Sequence, residues 1–228
     1  MILSEMNEVL NHSGDRCKVA AISFTLFERA WTMRGMENLL VDMISEPAFV
    51  TELFEAIGEH ASQIVAATLE LPFDIIHFVD DWGQQKGMIM GPALWRQFIR
   101  PVLSRLFRQV KDSGRFVSLH SCGDIQDVFP DLIDMGLDIY QTLQPEIYDI
   151  STVKRDYGSH LTFWGGISTQ QDLPYIRPED VENLVHNTID VLGVNGGYIA
   201  APTHAIPGDV PPENIVALVD AFRNQQSS

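Results

Sequence analysis

Phe116-Val117-Ser118-Leu119-His120-Ser121-Cys122-Gly123-Asp124 is the stretch that decides how this chain is read. Its opening residues are mostly apolar, with an aromatic and a β-branched side chain among them, which is the composition of a buried strand. Gly123 closes the run, and a helical pattern begins at Asp124. Side chains two residues apart on an extended backbone share a face, so His120 and Cys122 stand together where the strand ends. An imidazole beside a thiol is half of a zinc site. The same pair also fits a buried histidine with an inert cysteine, and only ligands from elsewhere in the chain separate the two.

Outward from this stretch, strand and helix patterns alternate. Strand composition recurs at residues 18–24, 74–79, 137–142, 160–164 and 196–201. Between them lie helical patterns at 34–45, 48–69, 93–113, 124–135, 150–157 and 178–192, and a last one runs from Pro211 to about Arg223. Residues 48–69 carry Val50, Leu53, Phe54, Ile57, Ala61, Ile64 and Val65 on one stripe, and Pro47 sits where a helix start tolerates proline. A short amphipathic helix is predicted over residues 1–12. Such alternation means parallel strands joined by helical crossovers, an α/β fold. The polar clusters Asp80-Asp81, His120 to Cys122, Gln144 to Glu146, Gly165-Gly166 and His204 each follow a strand. In a (β/α)8 barrel those strand ends form one mouth, so residues distant in sequence converge there. The count is about six βα units, two short of a closed barrel. The chain therefore reads as an incomplete TIM-barrel type whose first strand begins inside the fold.

Composition narrows the partners. The 228 residues carry a formal net charge of −16, which repels phosphate backbones and argues against nucleic acid. Hydrophobic residues make up 45%, yet no apolar run is long enough to span a bilayer. The first residues lack a basic region followed by an apolar core, so a cytoplasmic location is predicted. Two cysteines, Cys17 and Cys122, cannot build a disulfide framework, which fits a reducing compartment. Cys17 reads as a small buried hydrophobe, and Met33, Met36, Met43, Met88 and Met90 as core or pocket lining.

At this point the motifs match a family. The chain resembles the uroporphyrinogen decarboxylase superfamily, which includes cobalamin-dependent methyltransferases. The resemblance rests on Phe27-Glu28-Arg29-Ala30 with Arg34-Gly35, Asp80-Asp81-Trp82-Gly83, Pro92 to Pro101, His120-Ser121-Cys122-Gly123, Gly165-Gly166-Ile167-Ser168-Thr169-Gln170, and Gly196-Gly197-Tyr198-Ile199 through Pro211-Pro212-Glu213-Asn214. It implies one domain over residues 1–228, equivalent to the later three-quarters of a (β/α)8 barrel. The methyltransferase branch holds zinc through a His-x-Cys pair and a later Cys. His120 and Cys122 match the pair, and His204 falls where the later Cys would be. The resemblance thus implies a metal set of His120, Cys122 and His204, and a methyl group passing between a corrinoid and a thiol. Decarboxylases of the superfamily lack the His-x-Cys pair and use N-terminal arginines and an aspartate that have no counterpart here. Uroporphyrinogen decarboxylation stands as the alternative enzyme reading, and an inactive fragment or a subunit of a split barrel as the non-enzymatic one.

The remaining candidates come from position. Asp80 and Asp81 are adjacent and point to opposite faces, and Asp81 shares the parity of His77 and Val79, which makes it the inward one. The other Asp suits a cap or turn. Glu146 offers a second catalytic carboxylate, with a solvated loop residue as the bland reading. Gly165 and Gly166 offer backbone N–H groups to an anionic cofactor, or simply a tight turn. The expected partners are a small-molecule substrate, a methyl-corrinoid as donor or on a partner protein, and Zn2+. Unpaired barrel edges also predict an oligomer or an N-terminal partner chain.

Overall fold

The computed structural model describes Leu10 and residues 12–225. The predicted helix over residues 1–12 thus lies almost wholly outside the described residues. Six strands form one parallel sheet: β1 (Val19–Ser23), β2 (Ile75–Val79), β5 (Phe116–His120), β6 (Ile139–Leu143), β7 (Thr162–Ile167) and β8 (Tyr198–Pro202). They are laid side by side in chain order, β1-β2-β5-β6-β7-β8. Two short strands, β3 (Gly83–Gln84) and β4 (Gly87–Met88), make an antiparallel hairpin after β2. The sheet keeps barrel order without closing, and among the described residues no strand covers the outer edge of β1 or β8.

Helices bridge the parallel strands. The first crossover holds α1 (Phe27–Arg34), α2 (Met36–Ser45) and α3 (Pro47–Leu69). The second holds α4 (Gly91–Leu94), a π-helical turn at Trp95–Ile99 and α5 (Arg100–Asp112). The single helix predicted over 93–113 is thus interrupted. Pro101 lies in the first turn of α5, and proline removes an N–H and crowds the preceding turn, so the ladder widens just before it. After β5 come a 3-10 turn (Gln126–Val128) and α6 (Phe129–Asp134), then α7 (Ile150–Tyr157), α8 (Pro178–Leu192) and α9 (Pro212–Arg223). Asp149 caps α7, accepting from the N–H groups of Ser151 and Thr152 at 3.1 and 3.2 Å. No helix of the described residues is long and apolar enough to cross a membrane.

Strand parity explains the core. In β1, Ala20 and Ile22 are buried while Val19, Ala21 and Ser23 are exposed. The even residues sit under the helices, with Phe54, Phe78, Leu106, Leu119 and Phe163 in the same apolar cluster. Ser23 belongs to the opposite set, which lines the inner face, and Val79, His120, Gln141 and Trp164 fall in its register row. Gly58 lets α3 approach α5, since a Cβ there would stand 2.2 Å from Val102 Cγ1. A smaller cluster, including Ile167, Val181, Val185 and Leu218, joins β7 to α8 and α9.

Several expectations are corrected. Cys17 is exposed, because it precedes β1, the edge strand. Met36 is exposed on α2, whereas Met33 lines a surface cavity with Leu53 and Ile57, and Met43, Met88 and Met90 are buried. Gly165 and Gly166 are not in a turn: β7 runs on through them, opposite Ala200 and Ala201. A Cβ on Gly165 would meet Thr142 Oγ1 at 2.9 Å and the Leu143 nitrogen at 3.0 Å, so close strand packing accounts for it. Both glycines are buried in the ladder and form no open cradle for an anionic cofactor.

Candidate metal centre

The site is built where β2 and β5 end. Asp80, which follows β2, is fully buried. Its carboxylate accepts from the backbone N–H groups of Leu26 (3.2 Å), Phe27 (2.9 Å) and Glu28 (2.9 Å), and from Trp82 Nε1 (2.6 Å). Leu26 precedes α1 and offers no side-chain cap, so Asp80 satisfies the first N–H groups of that helix from a neighbouring strand. Burial raises the Asp80 pKa to about 6, although these donors pull it down.

Asp81 turns the other way. It accepts the Cys122 N–H at 2.8 Å, and its Oδ1 lies 3.4 Å from His120 Nε2. Burial favours the neutral acid, but bonds from His120 and the Cys122 N–H, with the charges of His120 and His204, hold Asp81 below the ordinary carboxylate range. Glu28 stands close by; burial first, then the charges of Asp81 and Asp80, raise its pKa to about 7.

The loop that carries Cys122 is held from every side. The Ser121 N–H donates to the Gln141 carbonyl (2.8 Å), and the Gly83 N–H to the Cys122 carbonyl (3.2 Å). The Gly123 N–H donates to Gln144 Oε1 (2.8 Å), the Tyr148 hydroxyl to the Gly123 carbonyl (2.7 Å), and the Tyr140 hydroxyl to the Ser121 carbonyl (3.0 Å). Gly83 and Gly123 cross backbone to backbone. A Cβ on Gly123 would stand 2.3 Å from the Gly83 carbonyl carbon, and Gly123 itself has φ 78°. Only glycine at both positions lets the Asp81 loop lie against the Cys122 loop.

His120 is 8% exposed. Its Nδ1 is hydrogen-bonded to Gln141 Oε1, and its Nε2 faces Cys122 Sγ at 3.4 Å. Burial disfavours a charged imidazole, but bonds to Asp81, Cys122 and Gln141 outweigh it and push the His120 pKa up to about 10. His204 follows β8, is exposed, and has its ring centroid 6.0 Å from that of His120. The ligand atoms of His120, Cys122 and His204 all lie within 4.8 Å of one another.

These residues fit zinc. A nitrogen–sulfur edge of a zinc tetrahedron is about 3.6 Å, given bonds of about 2.0–2.1 and 2.3 Å. The His120–Cys122 separation of 3.4 Å is close to that edge, and His204 keeps its ligand atom within 4.8 Å of both. Two imidazoles and one thiolate suit a borderline-soft cation, and three protein ligands leave a fourth position open.

Glu146 lies elsewhere. It follows β6, sits 3.5 Å from Gln144 Nε2, and its Oε2 is buried without a hydrogen-bond partner. Its charge acts on Asp172, whose pKa is raised by burial and then by Glu146. It is outside the His–Cys–His group. Glu28 and Gln141 were missed as site residues in the sequence. Gln141 carried one signal, a polar amide inside an apolar strand. His77, on the inner face of β2, hydrogen-bonds Ser118 Oγ through Nδ1 at 2.8 Å. A cavity of about 660 Å³ opens at the opposite end of the sheet, among Cys17, Ile75, Phe116 and Ile139, away from this cluster.

Residues 6–225 match the sequence profile of the Uroporphyrinogen decarboxylase (URO-D) family. The chain belongs to that family. It is 22% identical over 189 residues to a uroporphyrinogen decarboxylase of Methylococcus capsulatus, covering 78% of this chain and 49% of that protein. It is 25% identical over 169 residues to one of Coxiella burnetii, covering 69% and 42%. The chain thus spans half or less of these curated relatives. Among solved structures, a methyltransferase from Methanosarcina mazei superposes with a TM-score of 0.74 at 20% identity, over 94% of this chain and 60% of that one. That likeness shows the shared barrel-type fold.

Proposed function

We propose that this chain is the metal-binding part of a methyltransferase-like enzyme of the uroporphyrinogen decarboxylase superfamily, moving a methyl group between a corrinoid and a thiol. The observation that carries the reading is the convergence of His120, Cys122 and His204, from two separate strand ends, within 4.8 Å. Zinc held there would act as a Lewis acid and lower the pKa of a thiol in the fourth position. A corrinoid held beside it would supply the methyl group, and the acceptor sulfur would give up its S–H proton to a residue of this chain. Asp81, anchored on the Cys122 N–H, and Glu28, with a pKa of about 7, are the carboxylates that would receive that proton. Glu146, with its unpaired buried oxygen, is the carboxylate assigned to the acceptor side of the mouth.

The second reading, decarboxylation of a tetrapyrrole, is favoured by the names of the curated relatives. Against it stands the charge of the strand ends: Asp81, Glu28, Glu146 and Asp172 would repel a substrate rich in carboxylates. Metal analysis of the purified chain, with a methylcobalamin-to-thiol assay, tests the proposal. One zinc per chain and loss of the methylcobalamin spectrum on adding a small thiol are expected. A chain that holds no zinc and takes up none when it is added sinks the reading.

A further inference from the structure

We infer that Gln141 is the positioning residue that sets His120 up as a ligand through Nε2; the inference rests on the metal reading above. A neutral imidazole has one N–H and one lone pair, and only the nitrogen with the lone pair binds a metal. Nε2 faces Cys122 Sγ, so in a His120 that binds a metal together with Cys122 it is Nε2 that carries the lone pair and Nδ1 the proton. That proton needs an acceptor in a buried place. Gln141 Oε1 provides it, hydrogen-bonded to His120 Nδ1.

The backbone explains why this residue and no other does so. His120 ends β5, and Gln141 is its direct partner across the parallel ladder of β5 and β6. Both side chains point to the inner face. The Gln141 carbonyl is also fixed, because it accepts the Ser121 N–H at 2.8 Å. One residue thus holds the ring through its side chain and the ligand loop through its backbone. Asp81 cannot take this role, because it faces Nε2, the ligand side of the ring. His77 cannot either, because its Nδ1 is committed to Ser118 Oγ. An outer partner of this kind typically changes metal affinity about 10–100-fold when removed.

The test compares zinc affinity of the full 228-residue chain with Gln141→Leu and Gln141→Glu, by competition with a chelating dye, with circular dichroism as a check on folding. Gln141→Leu removes the acceptor and is expected to weaken zinc binding about 10–100-fold. Gln141→Glu keeps an acceptor oxygen at the same reach and is expected to bind at least as tightly as the unchanged chain. Wild-type affinity in folded Gln141→Leu overturns the inference. So does equal weakening in both variants, which would mark Gln141 as a packing residue. Absence of zinc binding by the unchanged chain is a different failure, because it removes the metal reading itself before Gln141 is tested.

Discussion

At the β2–β5 corner each backbone N–H and C=O of Ser121, Cys122 and Gly123 has a partner, and two glycines hold the Asp81 and Cys122 loops in contact. At the end of β8 the picture is different. Thr203 is buried and tied to β7, its N–H on the Ile167 carbonyl at 2.9 Å, but the next residue, His204, is exposed in a Pro-rich loop. Two of the three proposed ligands thus sit at the tightly bonded corner, and the third is offered by a loop. A metal site with a fixed pair and a looser third ligand keeps its geometry while leaving room for a substrate to enter. The difference also sorts the expected effects of mutation, since changes to the groups that anchor the corner reach the fold, and changes to the Cys122 thiol or to His204 reach only the proposed metal site.

The largest effect is expected at Asp80. Asp80→Asn turns an amide NH2 toward a carboxylate position that receives four N–H donors. Donor would face donor in a fully buried place, and the first turn of α1 would lose its anchor. A loss of about 3–5 kcal/mol in urea unfolding near neutral pH is expected, the range for breaking a buried charged network. A loss below about 1 kcal/mol would mean that the corner is held by something other than this carboxylate.

His77 gives the next effect, and it depends on pH. Burial, then the charge of His120, lowers its pKa from 6.5 to about 4. The unfolded chain binds the proton near 6.5, the folded chain only near 4, so the stability is complete above pH 6.5 and falls as the pH drops through that window. The full difference is on the order of 3 kcal/mol. Replacing His77 by Phe removes the term, so the variant should lose less stability than the unchanged chain between pH 6.5 and 4. Parallel curves for the two proteins would show that His77 titrates normally in the fold.

These two residues mark what the sequence disclosed and what it did not. Strand and helix alternation is a local pattern, and the parallel sheet with its polar strand ends follows from it. Parity along β2 separated Asp81 from Asp80 and grouped Asp81 with His77. What parity could not reveal is that Asp80 caps a helix more than fifty residues earlier, because that contact depends on β1 and β2 being neighbours. Gln141 stayed hidden for the same reason: its pairing with His120 is a matter of register between strands. Gly165 and Gly166 misled because glycine usually punctuates strands, whereas here Gly165 permits close approach of β6 and Gly166 leaves room for the Tyr198, Leu192 and Thr188 side chains. Met36 misled because an apolar residue on a helix does not say which face is covered.

Cys122→Ser tests the fixed half of the site. A serine hydroxyl stays protonated near neutral pH and is a poor zinc ligand, while its volume is close to that of cysteine. The loop's backbone bonds do not involve the thiol, so folding should be nearly unchanged. Zinc affinity is expected to fall at least about 100-fold, roughly 2.7 kcal/mol. Unchanged affinity would show that the metal, if held, is held by other groups.

His204→Ala gives the smallest effect and decides the comparison. His204 is exposed, and its main contacts are the His120 ring at 6.0 Å and the charge of Asp81. Removing it opens no cavity in either apolar cluster, so unfolding free energy should stay within about 0.5 kcal/mol of the unchanged chain. The loop itself is held by Thr203 and the Val210 N–H, which donates to the Pro207 carbonyl at 3.2 Å, and neither bond uses the imidazole. Zinc affinity should nevertheless fall, because one of three protein ligands is gone and water must take its place. The loss should be smaller than for Cys122→Ser, about tenfold, since a neutral imidazole on an exposed loop contributes less than a thiolate at the buried corner. Cobalt substitution offers a direct reading: the visible bands of the Co2+-loaded chain should keep the thiolate charge-transfer band in His204→Ala and lose it in Cys122→Ser. If His204→Ala costs stability as Asp80→Asn does, the loop belongs to the fixed part of the fold and the contrast between the two regions fails. If it leaves zinc affinity untouched, the site is built from the β2–β5 corner alone, and Asp81 beside His120 Nε2 becomes the first residue to examine as the replacement ligand.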